Sequence, residues 1–407
     1  MDTSLAVERA ARESYGRLIA FLSARTRDIA AAEDALSDAF RAALESWPKS
    51  GVPDKPEAWL LVAARRKLID TARHSRLHQE TIPTLLGITE ELQDSTEIAA
   101  NFPDDRLKLL FVCAHPAIDA SARSALMLQT VLGMDAARIG SAFLVKPAAM
   151  GQRLSRAKTK IRDARISFEV PETKELPQRL DFVLEAIYAA YSVGWEEVTG
   201  ANVNHSHFSA EAILLARLLT QQLPGEPEIR GLLALMLYCE SRSGARVAGD
   251  GSFIPLSEQE TSRWSMSMIA EADQILLHAE REGQIGRFQL EAAIQCAHTR
   301  RAMSGNTNWE AIALLYEGLV RLAPTIGAQV GRAAALAEAR GAAAGLKSLE
   351  SVLTDSVATY QPYWALIAHL YSLTGQRDPA RAAFERAIGL CDSPARRAFL
   401  VRKSAAL

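Results

Sequence analysis

Residues 135–165 read DAARIGSAFLVKPAAMGQRLSRAKTKIRDAR. Asp135–Phe143 has the pattern of a short helix, Leu144-Val145-Lys146 that of a turn, and Pro147–Arg165 that of a longer helix. Pro147 falls at a first helical position, where its missing N–H costs nothing. The second helix is strongly basic: residues 146–165 carry seven Lys or Arg against one acid, Asp163. A short helix, a turn and a basic helix form the geometry that lays the second helix in the major groove of DNA. Gln152 and Arg153 lie near its N-terminal end, where base edges are reached, and Arg156, Lys158 and Lys160 follow at positions suited to phosphates. A basic surface helix in an ordinary bundle would share this pattern, so the flanking sequence has to decide.

Upstream, Glu8–Leu22 reads as a helix. Asp28–Trp47 follows as another, with a stripe of Ala31, Ala35, Leu36, Ala39, Phe40 and Leu44 at helical spacing. Pro48–Pro56 holds three prolines and a glycine and is expected to be a loop. A third helix is expected over 57–77, apolar at Trp59, Leu60, Val62, Ala63, Leu68 and Ile69, with Arg65, Arg66, Arg73 and Arg76 on the opposite side. Residues 56–77 carry five Lys or Arg against two acids, whereas 78–105 carry seven acids and no Lys or Arg. Two basic helices joined by an acidic stretch point to two separate nucleic-acid contacts rather than one diffuse patch. A basic amphipathic helix is also a common solvated face, and Trp59 has a plain reading as core. Aromatic and basic residues beside a Pro-rich loop are, however, what holds unstacked single-stranded bases. Asp104-Asp105 is expected to cap a helix through Cys113, and Ser121–Leu132 is the next helix.

The remainder is helical throughout. At 407 residues the chain is too long for one ordinary core. It is rich in Ala and Leu and poor in β-branched runs, which favours an all-α fold. From Glu175 onward, helices of ordinary length are broken by Gly and Pro turns, the signature of stacked helical hairpins. Placing Trp364 at the first aromatic of a tetratricopeptide unit puts Ile367-Ala368, Tyr371, Ala380, Phe384 and Ala387 at its other marked positions. Tyr316 and Pro324 match the second half of an earlier unit. The four cysteines, Cys113, Cys239, Cys296 and Cys391, are scattered and read as structural thiols. His205 and His207 lie in a loop without supporting acids or thiols, so no metal is expected. No Ser-His-Asp order, phosphate loop or dinucleotide fingerprint is present, so no enzyme activity and no cofactor are expected. The N-terminus carries charges where a secretion signal needs an apolar core, no apolar run is long enough to span a bilayer, and a cytoplasmic protein without a membrane partner is expected.

In combination these features resemble the extracytoplasmic-function (ECF) sigma factors of bacterial RNA polymerase. The residues that carry the resemblance are AEDALSDAFRAALESWP (32–48), KPEAWLLVAARRKLIDTARH (55–74) and the stretch from DDRLKLLFVCAHPAID to LSRAKTKIRDA (104–164). More narrowly, the chain is similar to the subgroup with a fused C-terminal tetratricopeptide (TPR) domain. The resemblance implies sigma region 2 at 1–77, an acidic linker at 78–104, sigma region 4 at 105–170 and a TPR-like regulatory domain at 171–407.

It also implies roles. Asp34, Asp38 and Arg41 are the candidate contacts to core RNA polymerase, through its β and β′ subunits. Pro53, Lys55 and Trp59 would hold a flipped base of the −10 element, and Arg65, Arg66, Lys67 and Arg73 the strand backbone. Many members have Asn where this chain has Arg66, which puts a base-specific role there in doubt. Lys146, Ala148, Ala149, Gln152, Arg153, Arg156 and Lys160 would face the −35 element in duplex DNA. The acidic linker would run where nascent RNA later passes. A protein or small-molecule signal would enter at the C-terminal domain. The rival reading is a TPR-containing helix-turn-helix regulator that binds DNA without acting as a sigma subunit.

Overall fold

The chain is all-α in the computed structural model, which describes residues 3–75, 104–143, 145–172, 174–197, 206–352 and 357–407. Helix α1 spans Thr3–Thr26 and α2 spans Ile29–Ser50. Arg27 breaks the chain between them by taking a positive φ of 55°. Asp28 then restarts it, its carboxylate accepting from Ala31 N at 3.1 Å as an N-cap. Helix α2 runs past the expected stop at Trp47 and takes Pro48 into its last turn. A proline there removes a single N–H donor and leaves the acceptor near exposed side chains, so the helix tolerates it. Gly51 ends α2 at φ 84°, its N–H returning to Trp47 O at 3.0 Å.

Helix α3 spans Pro56–Ser75 and closes a three-helix bundle with α1 and α2. Leu18, Ile19, Phe21, Leu22, Leu36, Trp47, Leu60 and Leu61 fill its core. Of the expected acidic linker, 78–104, only Asp104 lies within the described residues.

Helices α4 (Arg106–Cys113), α5 (Ala120–Leu132), α6 (Ala136–Ala142) and α7 (Pro147–Asp163) follow. The cap of α4 differs from expectation. Asp104 accepts from Arg106 N at 3.2 Å, while the buried Asp105 makes no cap bond and pairs instead with Arg25 of α1 at 3.4 Å and Lys108 at 2.8 Å. Asp119 caps α5 by accepting from Ser121 N at 2.8 Å.

Helices α4 and α5 pack directly on α1. The approach is closest at Gly16, where a Cβ would stand 1.9 Å from the Val131 carbonyl oxygen. Only glycine lets two backbones approach so closely. As a result, the two segments expected as separate domains lie within one compact unit, Met1–Ala190. That unit also takes in the start of α8 (Leu176–Glu197), where Phe182 lies under the Arg123 guanidinium at 4.5 Å. The structural division therefore falls later than the expected 170/171.

Residues 191–407 form the second unit. Its helices are α9 (Ser206–Gln222), α10 (Pro227–Glu240), α11 (Met266–Arg281), α12 (Arg287–Thr299), α13 (Trp309–Leu322), α14 (Ile326–Arg340), α15 (Ala342–Leu349), α16 (Gln361–Leu373), α17 (Arg377–Gly389) and α18 (Pro394–Ala405). Successive helices pair as hairpins, and α10 is buried between α11 and α12. Glu228 of α10 satisfies the start of α12, its carboxylate accepting from Phe288 N at 2.9 Å and Gln289 N at 3.1 Å. Ala368, Ala380, Phe384 and Ala387, picked out by the repeat pattern, are all buried in the α16–α17 hairpin.

The connection 241–265 is a turn-rich loop with one isolated antiparallel bridge, Val247–Phe253, and Asp250 accepts from Ser252 N at 2.9 Å. Trp264 is buried against Arg301. All four cysteines are free thiols, Cys113 and Cys391 buried and Cys239 and Cys296 half-buried. His205 lies outside the described residues, and no cluster of potential metal ligands occurs among those described. No described helix is long and apolar enough to cross a membrane.

Two outcomes follow from this packing. Gly16→Ala should destabilise the first unit by about 1–3 kcal/mol despite alanine's better helix propensity, because backbone has to move. A thermal midpoint at or above that of the parent chain would mean α1 and α5 are not in this contact. In the second unit, His298 sits edge-on to Trp309 with ring centroids 5.3 Å apart. Burial, aided by Arg242 and Arg301, depresses its pKa from 6.5 to about 4. Between these values the unfolded chain binds a proton that the folded chain refuses. Stability from this group, on the order of 3 kcal/mol, is therefore full above pH 6.5 and lost as pH falls toward 4. Thermal scans across that range should show the loss, and His298→Gln should flatten it.

Candidate nucleic-acid interface

The first candidate surface is built by α2, the 51–55 loop and α3. Asp34 and Arg41 are exposed on α2. Asp38 is not a lone acid: it pairs with Lys67 of α3 at 2.9 Å and with Arg41 at 2.9 Å. The hydrogen bond from Lys67 holds the Asp38 carboxyl below the usual range. A residue expected to meet polymerase and one expected to meet a DNA strand thus neutralise each other.

On α3, Arg66 and Lys67 are exposed, but Arg65 is only 8% exposed. Its guanidinium lies 5.2 Å from the Phe21 ring centroid, and Arg25 covers the same ring at 3.3 Å. Burial, then the charge of Arg25, lowers the Arg65 pKa. Arg65 is therefore turned into the bundle and does not stand with its neighbours. Trp59 is half-buried and packs edge-on against Trp47 with centroids 5.5 Å apart, so it is at least in part a core residue. Arg73 lies on α3, and its side chain is outside the described residues.

Pro53 is half-buried and Lys55 exposed at the loop. Lys55 stands at the rim of a cavity of about 470 Å³ between the loop, the start of α3 and α1. Val52, Pro56 and Ala58 line it on one side, and Ala6, Arg9, Ala10, Glu13 and Ser14 of α1 on the other. The α1 wall was not foreseen from the sequence. Its one local signal is the Arg9–Glu13 pair, four residues apart and 2.9 Å long. Glu57 also lines the cavity; burial raises its pKa although Arg17 lies 3.5 Å away.

The second candidate surface is α7. Met150, Leu154, Ala157 and Ile161 bury one face of it against α5 and α6. The opposite face carries Ala148, Gln152, Arg156 and Lys160 at spacings of four, all exposed, with Lys146 and Ala149 beside them. Small residues at the first turn let a helix approach a surface closely; long polar ones then reach outward. The turn before α7 is tight: a Cβ on Gly140 would stand 2.6 Å from the Val145 carbonyl oxygen. Arg153 is held to one side, donating to Ser121 O at 3.3 Å.

Lys158, expected to meet phosphate, points the other way. It is ion-paired to Glu33 of α2, with side chains only 10% and 19% exposed. The signal was available, because Lys158 adjoins the buried stripe of α7 between Leu154 and Ile161. Arg162 reaches Asp28 at 3.9 Å beside it.

A family match covers the helices that carry the first surface. The family Sigma-70 region 2 matches residues 11–77. A family of unknown function (DUF6596) matches residues 179–280, where the sequence pattern predicts the start of a repeat domain. An uncharacterized protein of Rhizobium meliloti (strain 1021) is 36% identical over 402 residues, covering 97% of this chain and 93% of the relative. No solved structure matches the chain. The chain belongs to one family with that rhizobial protein over nearly its whole length, and its residues 11–77 are similar to region 2 of the sigma-70 proteins, which supports core RNA polymerase and promoter DNA as its partners.

Proposed function

We propose that this protein is a sigma factor of the extracytoplasmic-function type, acting in the cytoplasm, that gives core RNA polymerase promoter recognition and melting under the control of its C-terminal unit. The observation that carries the reading is the pair of surfaces in one chain. Residues 11–77 match sigma region 2, and α7 presents an exposed polar stripe behind a fully buried one.

In this reading α6 and α7 are a helix-turn-helix, and α7 enters the major groove at the −35 element. Gln152 reaches base edges, while Arg156 and Lys160 meet phosphates. Arg153, held by Ser121, fixes the entry angle. At the −10 element the strand is open. The cavity beside Pro53 and Lys55 takes an unstacked base, and Arg66, Lys67 and Arg73 hold the backbone on either side. Extruding a base needs a receiving pocket, since unstacking costs a few kcal/mol. On this account Asp34 and Arg41 meet the β′ and β subunits of the polymerase, and Asp38 joins them once Lys67 turns to DNA.

We read the second unit as a TPR-like regulator that receives a protein or small-molecule signal. Its successive helices pack as hairpins, as in repeat proteins, while the 241–265 loop also reaches the last helix, Phe253 lying edge-on to Phe399 with centroids 5.7 Å apart. The rival reading, a DNA-binding regulator that is not a sigma subunit, leaves the region 2 similarity without a purpose.

Run-off transcription separates the two. Core polymerase plus this protein should initiate at promoters taken from upstream of its own gene, and absence of any transcript would sink the sigma reading. At the level of residues, Gln152→Ala should lower discrimination at one −35 position by about 1–3 kcal/mol. Lys160→Ala should weaken all duplexes alike and reduce the salt slope of binding by about 1. Equal loss on every sequence for Gln152→Ala would mean it reads no base.

A further inference from the structure

The second unit buries a group of basic side chains that the DNA-reading surfaces do not use. Arg242 and Arg246 stand on the turn that follows α10, and each is only 5% exposed. Arg242 donates from Nη2 to Gln295 Oε1 of α12 and to Cys239 Sγ at 3.8 Å. Its Nε and Nη1 are buried and meet no acceptor. Arg246 donates from Nη1 to Trp195 O, with its guanidinium 3.8 Å from the Trp195 ring centroid.

Two further arginines border this pair. Arg301, just beyond α12, donates to the carbonyls of Leu256, Ser257 and Gln259 in the loop. Arg396 lies in the first turn of α18, which the loop reaches through Phe253 against Phe399. Beside Phe253, Ile254 N donates to Arg246 O at 2.8 Å, so the same contact brings Arg246 toward α18. The four charges act on one another. Burial, then the charge of Arg396, lowers the Arg246 pKa to about 10, and burial, then the charge of Arg242, lowers that of Arg301. Among the described residues, no carboxylate lies within ion-pair distance of Arg242, Arg246 or Arg301. Glu240 feels the charge of Arg246, yet burial raises its own pKa.

We infer that Arg242, flanked by Arg246, Arg301 and Arg396, is the centre of a binding site for a small phosphate-bearing anion, and that this anion is the signal received by the second unit. Its use as a signal rests on the regulator reading above; its binding does not. A buried charge is costly unless it is paired and hydrogen-bonded. Four guanidinium groups beside one carboxylate leave that cost standing, and an oxyanion removes it. A phosphoryl group carries about −1.5 to −2 charges at neutral pH and three acceptor oxygens, so it answers more than one arginine, where a lone carboxylate would not. The depth of Arg242 and Arg246 excludes a polymer backbone and selects a compact ligand. Gln295, Arg301 and Arg396 are half-buried at the margin, so side chains rather than backbone control entry.

The test uses the full chain and inorganic phosphate as the probe. The thermal midpoint should rise saturably with sodium phosphate and not with sodium chloride of equal ionic strength. Arg242→Gln keeps hydrogen-bonding capacity but removes the charge. It should weaken phosphate binding, read by titration calorimetry, roughly tenfold or more. In chloride its midpoint should equal or exceed that of the parent, because an uncompensated buried charge is gone. Arg396→Gln should weaken binding several-fold, with circular dichroism confirming the fold. Arg263→Gln cuts a tie of the same loop to the Gly244 and Val247 carbonyls but lies outside the four, and should leave phosphate affinity unchanged.

Glycerol phosphate distinguishes the source of the anion. Tighter binding than inorganic phosphate identifies an organic phosphate monoester, and weaker binding identifies phosphate itself. Absence of saturable phosphate binding by the parent chain would overturn the site. So would a midpoint of Arg242→Gln that falls equally in both salts, since Arg242 would then be a structural tie. In run-off transcription, phosphate should change the yield several-fold with the parent chain and not with Arg242→Gln. Binding with an unchanged yield would overturn the signal. Binding with no transcript from either chain would sink the sigma reading and leave the site standing.

Discussion

The arrangement of the N-terminal half depends on the missing side chain at Gly16. Without a Cβ there, the α1 backbone reaches the Val131 carbonyl at the end of α5. That approach brings α4 beside α1 and lays α7 along α2. Tyr15, next in sequence, turns to the Gly133 bend that ends α5, where an added Cβ would stand 3.1 Å from its ring. Once the helices are this close, charged groups at the seam lose water and have to find partners. Glu33 and Lys158, Asp28 and Arg162, and Asp105 and Arg25 are the partners found. The apolar contact sets the geometry, and the ion pairs select which faces of α2 and α7 meet.

The elements themselves were largely legible in the sequence. Asp28 and Asp119 were readable as restarts because a short acceptor before an apolar run satisfies free N–H groups, and Pro147 was readable as a first helical residue. The buried stripe of α7 follows from its spacing, as does the exposed stripe opposite. What local pattern cannot hold is the choice made between distant segments. Arg65, Arg66 and Lys67 are consecutive basic residues, yet Arg65 turns onto Phe21 and the other two face outward. That difference depends on an aromatic ring two helices away. Pro48 misled in the other direction, since a proline in a last exposed turn costs a helix little.

The C-terminal half teaches a related lesson. Its repeat pattern was readable around Trp364, and the small residues there are buried as such a pattern requires. The earlier connection, 241–265, has no repeat pattern at all. It is held by arginines: Arg246 over Trp195 at 3.8 Å, Arg263 onto Gly244 and Val247 carbonyls, and Arg301 onto the carbonyls of 256, 257 and 259. A guanidinium has several donors in a fixed fork, so one side chain can tie down a loop that lacks regular hydrogen bonding. Such ties leave no periodic trace, which is why this segment resisted reading although it lies in the matched family region.

Cys113 is buried beneath the seam, and its pKa is pushed up to about 12, chiefly by burial. At neutral pH such a thiol carries on the order of 10⁻⁵ of its population as the reactive thiolate. In the compact unit it is close to inert toward oxidants and alkylating reagents. Its silence toward such reagents is thus a property of the packing around it and not of the sulfur itself.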